Sequence, residues 1–166
     1  AIPYTGMIIT ARETAQMPRD AIGLGITQTD ASTKIGIGSY SEEGKGQESE
    51  RQQFMLGDTR SLDELVRDFA EMGHITSFCT AGYRCGRTGK CIMDLLRSGQ
   101  EGKFCKLNAV LTFQEWLDDF ATPATREAGL WVLEKELEEI KARNPKGFPV
   151  FYQFLERVRK GERDLF

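Results

Sequence analysis

The sequence predicts an α/β first part followed by a helical second part, and three observations carry that expectation. Up to residue 79, short apolar runs rich in β-branched residues alternate with helical stretches, the pattern of a parallel sheet with crossover helices. Beyond residue 79 only helical periodicity recurs. All four cysteines lie between Cys79 and Cys105, where the pattern changes. The boundary is therefore placed there, giving parts 1–78 and 79–166.

Each element has its own grounds. Residues 1–6 run directly into an apolar strand candidate at 7–11, so the opening reads as a chain cut into an existing fold, without a leader. A helix is expected over 14–24, with Pro18 tolerable near its first turn and Gly25 as its stop. A second strand candidate covers 26–31. Residues 32–57 shift to Gly, Ser, Glu and Gln and read as a long loop. Ser61-Leu62-Asp63-Glu64 is a capping box, followed by the apolar stripe Leu62, Leu65, Val66 and Phe69 and closed by Gly73. Residues 75–78 form a third strand candidate.

Helices are then expected over 89–97, over 108–121 with a second capping box at Thr112 and Glu115, over 123–143 and over 149–160. Thr122 and Pro123 start the third of these, and Leu130, Leu133, Leu137 and Ile140 supply its apolar stripe. Phe151, Phe154, Leu155 and Val158 are the inward residues of the last.

Composition narrows the function classes. A chain of 166 residues that is 40% hydrophobic can bury a core without disulfide staples. Twenty-two basic against 25 acidic residues leave a net charge of -3, no global footprint for nucleic acid. No apolar run is long enough to span a membrane. The expectation is a cytoplasmic protein, in a reducing compartment where clustered cysteines bind metal or do chemistry.

Cys79, Cys85, Cys91 and Cys105 are the strongest chemical signal. Thiolates are soft anionic ligands suited to iron–sulfur clusters, and nearby Arg84, Arg87, Lys90 and Lys103 favour the thiolate form. Zinc ranks lower, because its sites use cysteines paired two to four residues apart, and the gaps here are five, five and thirteen. The plain alternative is a set of small buried thiols. His74, the only histidine, reads as a strand-end surface residue. Gly36-Ile37-Gly38 lacks the third glycine and the setting of a dinucleotide site. The acidic run 134–139 reads as a solvated helix face. Phe113, Trp116, Phe120 and Trp131 read as packing between helices.

Several ordered blocks resemble a known family: Pro3-Tyr4-Thr5-Gly6-Met7-Ile8, Leu24-Gly25-Ile26-Thr27-Gln28, Leu56-Gly57-Asp58, Arg60-Ser61-Leu62-Asp63-Glu64, Ser77-Phe78-Cys79-Thr80-Ala81, Gly86-Arg87-Thr88-Gly89 and Asn108-Ala109-Val110-Leu111-Thr112-Phe113. Together they look like the C-terminal half of the HydG-type radical SAM tyrosine lyases of [FeFe]-hydrogenase maturation. The first half is similar, more weakly, to the thiamine-pathway tyrosine lyase ThiH.

The resemblance implies the last part of a TIM barrel followed by a helical C-terminal domain. It also implies cleavage of tyrosine at a SAM-bound [4Fe-4S] cluster, with CO and cyanide made for the hydrogenase. A second, auxiliary [4Fe-4S] cluster would be held by cysteines spaced CX2CX22C. Cys79 matches the first of these ligands and Cys105 the third, while Gly82 occupies the second position and leaves Cys85 or Cys91 to substitute. The radical SAM signature CX3CX2C does not occur in these 166 residues.

SAM and its cluster are therefore expected only with an N-terminal barrel half, which becomes the implied partner alongside hydrogenase maturation proteins. Lys34 aligns with the family's basic residue that pairs with the carboxylate of tyrosine, and Arg12 falls on the same barrel-mouth side. Asp30 stands where relatives carry serine. Two alternatives accompany this reading: a non-catalytic cluster-binding or partner-binding module, and a diverged lyase acting on another amino acid.

Overall fold

The structure, a computed structural model, describes residues 7–35, 55–78, 94, 97–98, 102–163 and 165, with the backbone alone for 102–104. It divides into two compact units, Ala1–Leu65 and Val66–Phe166.

In the first unit β1 (Ile8–Ile9), α1 (Gln16–Ile22) and β2 (Gln28–Thr29) follow one another. The strands pair in parallel, with Ile8 opposite Gln28 and Ile9 opposite Thr29. The expected strand, helix and parallel strand are thus present, in shortened form. The ladder ends early because the chain turns after β1, where the Glu13 N–H donates to the Thr10 carbonyl at 3.1 Å. Pro18 sits buried in the first turn of α1, where its missing N–H costs nothing. α1 starts two residues later and ends two residues earlier than the expected 14–24, and the N–H groups of Gly25 and Ile26 take the carbonyls of Ile22 and Ala21 at its end. Met7, Ile8, Leu24 and Met55 are exposed, Ile8 by 60%, so this small sheet leaves apolar surface uncovered.

α2 (Leu62–Glu71) starts as expected. Ser61 Oγ accepts from the Glu64 N–H at 3.2 Å and Glu64 Oε2 accepts from the Ser61 N–H at 2.8 Å. Leu65, Val66, Phe69 and Ala70 are buried. Gly73 ends the helix with φ of 86°, and its N–H and that of His74 take the carbonyls of Ala70 and Phe69. His74 is exposed.

In the second unit, residues 75–78 do not form the expected strand. No neighbouring strand pairs with them among the described residues, and Phe78 instead stacks on Trp116, ring centroids 5.4 Å apart. The helix expected over 89–97 lies largely outside the described residues; Asp94 and Arg97 are helical.

α3 (Gly102–Asp119) begins six residues before the expected 108. The second capping box is therefore mid-helix. Thr112 Oγ1 donates back to the carbonyls of Asn108 and Ala109, which frees it from any capping role. α4 (Pro123–Arg143) has the expected bounds, with Thr122 Oγ1 accepting from the Thr125 N–H. α5 (Phe148–Arg159) follows, and α3 packs against both α4 and α5. Val110, Phe113, Leu117, Val132, Leu133, Leu155 and Val158 form the core of this packing, all of them buried. Leu130 and Phe154 are only half-buried. Trp131 and Phe120 are 50% and 72% exposed, so these two rings are not packing residues; Lys135 Nζ lies 3.3 Å over the Trp131 ring.

Gln114 is buried with both ends of its amide engaged, Nε2 on Asp118 and Oε1 on Arg159. Asp119 of α3 accepts from the Arg163 guanidinium beyond α5, and that hydrogen bond holds its carboxyl below the ordinary carboxylate range. A carboxylate with a lowered folded-state pKa stabilises above its unfolded value and loses that contribution as pH falls through the folded one. The stability difference between the wild type and Arg163→Met is expected to shrink between about pH 7 and about pH 3. Urea unfolding at both ends checks it, and an equal difference at both contradicts it.

Candidate functional site

Because β1 and β2 are parallel and adjacent, the segments that leave them emerge from the same edge of the pair. Arg12 follows β1 and Lys34 follows β2, and both are exposed. The sequence-derived pair of cations is thus placed after the C-terminal ends of two neighbouring strands.

Polar contacts lace three segments together at this edge. The Ala11 carbonyl accepts from the N–H groups of Gly57 and Asp58, at 2.9 and 3.0 Å. The Ala11 N–H is directed at Asp30 Oδ2, at 3.4 Å. The Ser32 N–H donates to the Arg60 carbonyl at 3.0 Å, and Ser32 Oγ accepts from the Leu62 N–H at 2.8 Å. Ser32 adopts φ of 54°, the left-handed region that non-glycine residues enter at a cost. Its two hydrogen bonds hold it there, two residues before Lys34.

At the centre is a pair that sequence reasoning did not assign a role. Asp58 Oδ1 accepts from Arg60 Nε at 2.9 Å and from the Arg60 N–H at 3.1 Å, and Oδ2 accepts from Nη2 at 2.6 Å. The two side chains are 4% and 17% exposed. Arg60 Nη2 also donates to the Ala15 carbonyl at 3.2 Å, which ties the pair to the start of α1. Its signal was an Asp-x-Arg directly ahead of a capping box, where a carboxylate can turn back on the following guanidinium.

Of the four cysteines, Cys105 lies within the described residues, exposed in the first turn of α3. Cys79, Cys85, Cys91 and Gly82 lie outside them. No group of three or more His, Cys, Asp or Glu side chains gathers at one point among the described residues. A helix N-terminus favours an anion, so a thiolate at Cys105 is electrostatically placed to ligate. Next to it, Lys106 reaches across to α4, Nζ lying 2.6 Å from Glu136 Oε2 and also engaging Glu139. Burial opposes the Lys106 charge, but the hydrogen bonds and charges of Glu136 and Glu139 outweigh it and raise the pKa. The acidic run is therefore more than a solvated face, since two of its carboxylates anchor the start of α3. In donor chemistry, an exposed thiol at a helix start within a set of four suits an iron–sulfur group.

Residues 1–75 match the Biotin and Thiamin Synthesis associated domain. A solved structure described as the crystal structure of HydG, a maturase of the [FeFe]-hydrogenase, matches 100% of this chain at 38% sequence identity and a TM-score of 0.79. The chain is HydG-like throughout. It spans 35% of the length of that HydG chain. The domain match takes in β1, α1, β2 and α2, while α3, α4 and α5 are HydG-like through the structural match. No curated protein matches the chain. Among the described residues, no helix is long and apolar enough to cross a membrane.

Proposed function

We propose that this chain is the C-terminal portion of a HydG-like radical SAM lyase, cytoplasmic, contributing to the making of CO and cyanide from tyrosine for [FeFe]-hydrogenase maturation. The observation that carries this reading is the 38% identity to HydG over the whole chain. In it, residues 1–78 are the last part of a TIM barrel and 79–166 a helical domain bearing the auxiliary cluster. Its partners are the N-terminal barrel half, which brings SAM and the reducing cluster, and the other hydrogenase maturation proteins.

Lys34 and Arg12 have the chemistry for a carboxylate: two cations after neighbouring strand ends, on segments fixed by the Asp58–Arg60 pair. Cys79 and Cys105, with Cys85 or Cys91, would hold the auxiliary cluster, which supplies a site where iron can take up small ligands. Gly82 and Asp30 depart from the family pattern and favour, as a second reading, a diverged lyase with another amino-acid substrate.

Anaerobic reconstitution of the chain with iron and sulfide, followed by counting of both, tests the cluster. About four of each per chain is expected for one cubane. Protein that retains no iron, with all four thiols reacting freely with an alkylating reagent, would overturn it.

A further inference from the structure

The carboxylates of α4 fall into two sets. Glu136 and Glu139 hold Lys106 of α3, so this helix already binds a basic side chain carried by another helix. Glu127, Trp131, Glu134 and Glu138 are all exposed. At 3.6 residues per turn these four lie within an arc of about 60° and along about 16 Å of the helix, a single outward stripe. Glu127, Glu134 and Glu138 make no ion pair or hydrogen bond among the described residues. The lysines nearest to them in sequence lie over rings instead, Lys135 Nζ 3.3 Å from the centroid of Trp131 and Lys141 Nζ 6.0 Å from that of Phe148. Helix formation does not account for the stripe, since Glu134 and Glu138 stand four residues apart, and like charges at that spacing weaken a helix. Core packing does not account for Trp131, which is 50% exposed.

We propose that this stripe of α4 is a docking surface for a basic segment of a protein partner, which sets a cation on the Trp131 ring and pairs its flanking arginines or lysines with Glu127, Glu134 and Glu138. Charge complementarity selects that occupant. Carboxylates arrayed around an indole steer and register a basic chain, while they repel nucleic acid and anionic lipid. A second copy docked through the same face would bring like charges together. Lys135 shows that the ring accepts a cation, and an arginine guanidinium, planar and weakly hydrated, is suited to take its place. Tryptophan is among the residue types on which interface energy concentrates. None of these residues enters the cluster or carboxylate readings above, so the surface stands or falls separately from them.

The test is fluorescence anisotropy of a labelled oligoarginine peptide titrated with the full chain at low and at physiological salt. Wild type should bind it. The triple variant Glu127→Gln, Glu134→Gln, Glu138→Gln should weaken binding by about 10-fold or more and flatten its salt dependence. Trp131→Ala should weaken it by roughly 3- to 30-fold, and Trp131→Phe, which keeps a ring, by less. A control triple, Glu13→Gln, Asp20→Asn, Glu71→Gln, removes the same charge from exposed positions elsewhere and should change binding by less than about 2-fold. A wild type that does not bind the peptide, a control as weak as the stripe variant, or Trp131→Ala binding as tightly as wild type would overturn the proposal. A marked fall in the melting temperature of Trp131→Ala would make the ring structural and also overturn it. Self-association of the wild type in light scattering, abolished in Trp131→Ala, would assign the face to a second copy and overturn it as well.

Discussion

Replacing Cys79 or Cys105 by alanine is expected to abolish the visible absorption of the reconstituted chain, and only one of Cys85→Ala and Cys91→Ala should do the same. A cubane that keeps one iron open for exogenous ligands needs three protein thiolates. On the proposed ligand set, Gly82 stands at the second position, Cys79 and Cys105 are the two matched ligands, and two further cysteines lie between them in the sequence. One extra suffices, so the other should be dispensable. Cys105 is exposed on a helix turn held to α4 through Lys106, which fixes the backbone at one of the proposed ligands. Each alanine variant is compared with wild type by absorption and iron content after desalting. A cluster that survives Cys105→Ala would remove the family-derived ligand set. Loss in both Cys85→Ala and Cys91→Ala would show that all four thiols are ligands.

Where the sequence was legible, the physics was local. The Ser61 to Glu64 box, the Thr122 and Pro123 start and the Gly73 stop depend on contacts within one turn of chain, and each forms as read. The parallel pairing was legible through the order of strand, helix and strand. The reading failed where a distant partner decides. Thr112 to Glu115 has the composition of a cap, but tertiary packing lets α3 continue through it from Gly102. Residues 75–78 have strand composition but no strand pairs with them among the described residues, and the Phe78 ring found Trp116 instead. At the candidate site, Arg12 was named from its place after the first strand, Lys34 and Cys105 from the resemblance, and the structure places Arg12 and Lys34 after the ends of the two paired strands. Asp58 and Arg60 could not be weighed, because their value lies in burial and in the carbonyl of Ala15, forty-five residues from Arg60.

That pair sets the other large expected effect. Asp58→Ala should destabilise the first unit by about 2–4 kcal/mol, since removing one partner of a buried ion pair takes a bidentate counter-charge from the other. The Asp58 carboxylate is 4% exposed and accepts three hydrogen bonds from Arg60, while the guanidinium is 17% exposed and keeps the Ala15 carbonyl. The other contacts of the guanidinium, the Ala15 carbonyl among them, and its partial exposure place the expectation toward the lower side of the range for a broken buried pair. Asp58→Asn retains acceptor geometry and should cost less, about 1–2 kcal/mol. The double variant Asp58→Ala with Arg60→Met removes both charges, so it should be more stable than Asp58→Ala alone. Beside the pair, Gly57 lies so close to the Arg12–Glu13 backbone that a Cβ there would be 2.6 Å from Glu13, so only glycine fits this approach. The consequence reaches the site: the Arg60 carbonyl holds the Ser32 N–H, and Ser32 leads directly to Lys34. Hydrogen exchange at residues 30–34 should therefore quicken in Asp58→Ala and return toward wild type in the double variant. Urea unfolding of the four proteins together with that exchange measurement decides it. A single variant as stable as wild type, or exchange unchanged at Ser32, would mean that the pair contributes little to stability and that the strand-end loop is held by its own backbone.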